Sequence, residues 1–182
     1  MPAADTGWRA VATSSDRERL RNWRTSWVEA LTAAESAGHG AEISKAGALF
    51  LPDAAIPGPG IPAGDYRCKT TKLGAKQFGL LDYVAYDFFE CRVTADAQGL
   101  RLEKRTGSQR QAGRIYPDTD RRQVFLGTLL LGDETRPFRY GTDATRNVAG
   151  HIERVGPDRW RLVMPSPAFE SLVDVLEIIP AG

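Results

Sequence analysis

Two hydrophobic periods divide the chain near residue 64. Before it, Leu20, Trp23, Trp27, Leu31 and Ala34 recur at intervals of three and four, with Arg17, Arg21, Arg24 and Glu35 off that line. This is one apolar stripe on a helix. Ser15-Asp16-Arg17-Glu18 has the form of a capping box, and Gly38 suits a C′ position. The spacing predicts a helix over about 16–37, within a segment 15–38 that follows a flexible lead over 1–14. Residues 39–63 lose the period. A short turn of helix is expected around Glu42–Ala46, ending at Gly47. Pro52, Pro57, Gly58, Pro59, Gly60 and Pro62 then forbid regular structure. Leu49, Phe50, Leu51 and Ile56 are expected to pin this connection to the body.

From Gly64 the period becomes two. Strands are expected near 65–73, 80–86, 88–94, 99–106, 109–116, 122–131, 147–155, 159–164 and 172–179, separated by Gly, Pro, Asp and Asn clusters. Phe89, Cys91 and Val93 alternate with Glu90 and Arg92; Trp160, Leu162 and Met164 alternate with Arg159 and Arg161. Those strands read as having one wet face. Val124–Leu131 differs. Val124, Leu126 and Leu130 face one way and Phe125, Leu129 and Leu131 the other, so its outer face needs a cover. The Trp23/Trp27 stripe is the expected cover. The fold class that follows is mainly β with an N-terminal helix: one domain over 1–182, with the body at 64–180. That body is an antiparallel barrel or sandwich of calycin or lipocalin type, covered by one amphipathic helix.

Composition changes little in this picture. With 182 residues, 42% hydrophobic and 26% charged, the chain can bury a core without staples. A net charge of +1 supplies no global field for nucleic acid or an anionic membrane, and no apolar run is long enough to cross a bilayer. The start Met1-Pro2-Ala3-Ala4-Asp5 lacks a basic and an apolar leader region. Taken literally it is cytosolic; alternatively an initiator Met stands where a leader was removed.

Several segments together carry a resemblance. They are Gly64-Asp65-Tyr66-Arg67-Cys68, Cys91-Arg92-Val93, Lys104 through Arg110, Gly113-Arg114-Ile115-Tyr116-Pro117, Phe125-Leu126-Gly127-Thr128, Trp160 through Pro165 and Glu177-Ile178-Ile179-Pro180. In this order, and with the Trp-rich helix before them, the chain resembles the bacterial family designated domain of unknown function 4893. The resemblance implies an exported, periplasmic or secreted, envelope protein of Gram-negative bacteria. It brings no activity, cofactor or catalytic residue.

Cys68 and Cys91 fall on two strands and form a disulfide if those strands are neighbours; otherwise they are two buried thiols. Polar residues in the apolar phase are the strongest hint of a site. Lys104 points with Leu100 and Leu102; Lys72 points with Tyr66, Cys68 and Thr70; Gln109 and Gln111 share a phase with Ile115. A barrel interior with cationic ends and amides suits a small anionic or amphiphilic ligand. The candidate ligand residues are Lys104, Gln109, Arg110, Tyr66 and Lys72. The competing reading has both lysines snorkelling to water, or paired with Glu134 or Glu177.

No cofactor, metal or nucleic-acid partner is expected. His39 and His151 stand apart, Asp118-Thr119-Asp120 reads as a turn, and the basic stretch Arg101–Arg122 has one aromatic, Tyr116. The loop Gly107-Ser108-Gln109-Arg110 reads as either an anion nest or a hairpin turn. A hydrolytic set would draw on His151, Glu153 or Glu170, and Ser171, which strand phase does not bring together. The reading is therefore of a non-enzymatic protein that binds a ligand in a hollow barrel, with a filled interaction module as the alternative.

Overall fold

The computed structural model describes residues 7–182. Its body is a closed antiparallel barrel of eight strands in sequence order. These are β1 (Gly64–Ala75), β2 (Tyr83–Asp96), β3 (Gly99–Lys104), β4 (Gln109–Pro117), β5 (Arg122–Leu131), β6 (Asn147–Gly156), β7 (Arg159–Pro165) and β8 (Ser171–Pro180). Closure pairs β8 with β1, Leu176 opposite Thr70, so that no sheet edge remains. Ahead of the barrel come α1 (Trp8–Val11), α2 (Ser14–Arg21) and α3 (Trp23–Ala34), then a kink at Gly38 (φ +99°), α4 (Gly40–Lys45) and a 3₁₀ turn (Gly47–Phe50).

Eight strands stand where nine were expected, because 80–86 and 88–94 are one strand. The reason is a β-bulge. Lys69 pairs Phe88 and Thr71 pairs Ala85, so Thr70 alone faces Tyr86 and Asp87. The bulge resets the alternation within β2, which makes one strand read as two.

The helical segment also differs from its expectation. It breaks at Asn22 (φ −95°, ψ 9°), and its N-cap is Thr13, whose hydroxyl accepts from the Asp16 amide at 3.2 Å; Ser15 lies inside α2. A straight helix over 16–37 would be about 33 Å long and could not follow a curved barrel. The break lets the two pieces cover different strands. Trp8, Ala12 and Leu20 pack on Val124, Leu126 and Ala149. Trp27, Ala30, Leu31 and Ala34 pack on Leu73, Val163, Val173 and Val175. The cover over Val124 and Leu126 of β5 is thus α1–α2, not the tryptophan stripe: Trp27 lies over β1, β7 and β8, and Trp23 meets Arg122 at the start of β5 and His151 of β6. The flexible lead expected over 1–14 is structured from Trp8, whose ring is buried; residues 1–6 lie outside the described residues.

Close approach sets two local requirements. Gly74, at φ +71°, meets α3: a Cβ there would lie 2.8 Å from Leu172 Cδ1 and 3.1 Å from the Ala30 Cα. Gly113 and Gly127 face each other across β4 and β5, where a Cβ on either would come within 2.4 Å of backbone oxygen. Glycine at Gly113 and Gly127 lets the two backbones approach this closely.

Inside, Phe125, Leu102, Leu162, Leu176 and Ile178 fill the barrel. The lower end is plugged by Ile61, whose amide donates to Gln123 Oε1 at 2.9 Å. Leu49 and Phe50 pin the connection as expected, whereas Leu51 and Ile56 are exposed and Ile61 takes their place.

Arg161, expected on a wet face, is fully buried beneath the connection. Its guanidinium bonds Glu153 Oε1 at 3.0 and 3.2 Å and donates to the carbonyls of Ala48, Leu49, Leu51 and Pro52. It also stacks on Trp27 at 4.4 Å. β7 therefore has no solvated face. Arg161 thus ties the backbone of residues 48–52 to the barrel, alongside the packing of Leu49 and Phe50.

Candidate functional site

The upper end of the barrel is polar. It is the end that carries the β1–β2, β3–β4, β5–β6 and β7–β8 loops. Lys72 reaches it from the end of β1 and pairs with Asp174 Oδ2 at 3.2 Å and Glu170 Oε2 at 3.7 Å. Asp174 also accepts from the Ser171 hydroxyl. Burial pushes the Asp174 carboxyl up, against the pull of Lys72 and Ser171. The sequence reading missed Asp174, although it shares the inward phase of Leu176 and Ile178 and so carried the same signal as Lys72.

Lys104 arrives from the end of β3. Its ammonium donates to the Gln109 carbonyl at 2.9 Å and lies 4.2 Å over the Phe89 ring. It makes no ion pair with any described residue, and neither Glu134 nor Glu177 is its partner: they bind Arg146 and Arg159. Desolvation lowers its pKa to about 8. Beside it, Thr70 Oγ1 and Gln111 Oε1 are buried without a hydrogen-bond partner. A cavity of about 60 Å³ joins Thr70, Lys72, Lys104, Gln109 and Gln111, with Tyr86 and Phe89 as its apolar wall. A second space of about 20 Å³ continues past Lys72, Gln111 and Asp174 toward Phe169. The mouth can offer a cation, an amide and a hydroxyl to a group of a few heavy atoms.

Of the five candidate ligand residues, the fold brings Lys72, Lys104 and Gln109 together. It does not bring Tyr66, whose hydroxyl donates to the Pro62 carbonyl at 2.6 Å and whose ring meets Trp160 at the plugged end. It also turns Arg110 outward, where the guanidinium holds the carbonyls of Gly107, Gly132 and Glu134. The Gly107–Arg110 segment is thus a hairpin turn closed by its own arginine.

The hydrolytic set is dispersed. Ser171 belongs to the mouth, whereas His151 lies on the outer face of β6 against Trp23, 5.3 Å between rings, and Glu153 is held by Arg161. His39 stacks on Tyr83 at 4.8 Å. Asp118 is engaged by the Trp8 indole at 3.0 Å and by Arg9 and Arg122. Among the described residues no cluster of His, Cys, Asp or Glu is placed to hold a metal, and no helix is long and apolar enough to cross a membrane.

Cys68 and Cys91 are joined in a disulfide, with Cα atoms 5.9 Å apart, diagonally across β1 and β2. The bridge lies in the interior core below the polar mouth.

These features define a small closed antiparallel barrel, packed with side chains, disulfide-bridged and polar at one end. The chain belongs to the family described as domain of unknown function (DUF4893), whose model matches residues 8–178. The curated proteins contain no match. Among solved structures the chain is similar to a redesigned β-barrel, at 7% identity over 65% of this chain and 90% of that one, with a TM-score of 0.41.

Proposed function

We propose that this is a non-enzymatic envelope protein whose barrel mouth receives the anionic head of a small amphiphile, a carboxylate in the first instance. One observation carries the reading: Lys104 is a buried cation without a carboxylate partner among the described residues, beside two polar atoms that lack hydrogen bonds and a cavity of about 60 Å³. A buried charge is tolerated when paired, and a ligand carboxylate would supply the pair. The cavity admits a head group rather than a whole chain. The apolar body would lie along Tyr86, Phe89 and Phe169, and the exposed Phe78 and Leu81 of the β1–β2 loop extend that rim. The Lys76 amide bonds the Glu170 carbonyl at 3.0 Å, which joins the two loops of the rim. The disulfide supports an oxidising compartment.

Calorimetry with acetate and octanoate tests this. Octanoate binds more tightly than acetate, and Lys104→Met weakens both at least tenfold. Equal binding by Lys104→Met, or no binding of octanoate at millimolar concentration, refutes the reading. The packed interior favours a second reading, a module that works through its outer surface, because the two larger cavities, of about 460 and 440 Å³, lie outside the barrel. Failure of octanoate to bind would leave that second reading standing.

A further inference from the structure

The groove of about 440 Å³ outside the barrel lies between α1–α2, Trp23 at the head of α3, the β4–β5 turn, the start of β5 and the middle of β6. Arg9, Arg17, Arg21 and Arg122 line it, with Asp118 as the one carboxylate among the described residues. Among those residues, four guanidinium groups against one acid is a local excess of three positive charges in a chain of net charge +1. Asp118 is already shared: it accepts from the Trp8 indole at 3.0 Å and stands 3.8 Å from both Arg9 and Arg122. Arg9 stacks on Trp8 at 4.4 Å and Arg122 on Trp23 at 5.4 Å. Stacking holds a guanidinium by its face and leaves its N–H edge for an oxyanion.

At the floor, two polar side chains lack hydrogen bonds of good geometry. Arg122 Nε is buried and makes no hydrogen bond; Asp118 Oδ2 stands 3.8 Å from it, beyond hydrogen-bond reach. His151 is 3% exposed, and neither ring nitrogen makes a hydrogen bond of good geometry, although the Leu20 carbonyl lies close enough to favour the protonated ring slightly. Buried orphan donors are rare, and two at one spot, Arg122 Nε–H and the single N–H of neutral His151, call for an acceptor.

We propose that this groove binds a phosphate monoester, its dianionic head held by Arg9, Arg21 and Arg122 over a His151 N–H donor, and its organic body between Trp8 and Trp23. A dianion matches the excess charge better than a single carboxylate, and the guanidinium fork fits phosphate oxygens in pairs. Inorganic phosphate would fill only a small part of the volume, so the ligand carries more than its phosphate. The groups that face His151 are Arg122, Asp118, the Leu20 carbonyl and Trp23. Burial, aided by Arg122, lowers its pKa to about 4, so it is a neutral donor at pH 7. A bound dianion adds negative charge beside the ring and raises that value.

The test is an NMR titration of the His151 ring in the full chain, with inorganic phosphate, phenyl phosphate, and phosphatidylcholine vesicles with or without phosphatidic acid. Phenyl phosphate is expected to bind at least tenfold more tightly than inorganic phosphate and to raise the His151 pKa by a unit or more. Arg122→Gln weakens it at least tenfold. Arg21→Gln is the second variant: Arg21 is exposed and bonds no other described residue through its side chain, so this change leaves the fold intact and weakens binding severalfold. Arginine-dependent binding of phenyl phosphate supports a soluble ester as the source. Arginine-dependent binding of phosphatidic acid vesicles alone supports a lipid head group. If neither binds, or if both variants bind as the native protein does, the proposal is wrong.

Discussion

Replacing Arg161 with leucine probes how the connection is held to the barrel. The side chain is fully buried, and its removal leaves Glu153, 4% exposed, without a counter-charge. Breaking a buried pair from one side costs about 3–5 kcal/mol. For a domain of this size each kcal/mol lowers Tm by roughly 2–4 °C, so a fall of about 10 °C is expected. Removing both partners, in Arg161→Leu with Glu153→Leu, restores most of the loss. What remains is about 1–2 kcal/mol, from carbonyls of residues 48–52 that lose their donor. The pH dependence follows from Glu153. Burial raises its carboxyl above the ordinary 4.5 even with Arg161 present, and loss of the guanidinium raises it further. A group whose folded pKa is raised loses stability as pH rises from its unfolded value through its folded one. The single variant is therefore closest to the native protein near pH 4.5 and furthest from it at pH 7. Thermal and urea unfolding at the two pH values measure this. A loss below about 1 kcal/mol at pH 7, or a double variant no better than the single one, would refute the reasoning.

Other outcomes are expected. Reducing Cys68–Cys91, which closes a separation of 23 residues, costs about 3 kcal/mol in the chain-entropy model, read as a lower urea midpoint in dithiothreitol. Gly127→Ala destabilises by about 1–3 kcal/mol, because its Cβ meets the Ala112 carbonyl; an unchanged Tm would mean that the two strands do not approach so closely there. Lys104 titrates near 8 when folded against 10.5 when unfolded, so its burdensome charge is relieved as pH rises between those values. The stability gain of Lys104→Met over the native protein is accordingly largest below pH 8 and shrinks toward pH 10.5, as urea unfolding across that range would show.

Alternation alone made much of the barrel legible. Phe89, Cys91 and Val93, and likewise Trp160, Leu162 and Met164, point inward as their spacing says. Lys72 and Lys104 were legible for the same reason, since an ionic side chain in an apolar phase breaks the pattern visibly. What alternation could not supply was everything set by the third dimension. The bulge opposite Thr70 hides one strand as two. Arg161 reads as a surface residue because only the path of the connection covers it. Tyr66 has the right phase and the wrong end: phase fixes the face of a strand, not its depth in the barrel. His151 is out of phase with the inward Val148 and Ile152 and so lies on the outer face, but which helix covers it depends on the break at Asn22.

The chain has five lysines, so their side-chain signals can be assigned by substitution. An NMR titration of the Lys104 ammonium, without and with octanoate, reaches the functional claim most directly. The account predicts a pKa of about 8 that rises by a unit or more when the carboxylate binds. A value near 10.5 that octanoate leaves unmoved would mean that Lys104 is solvated and that the mouth holds no anion.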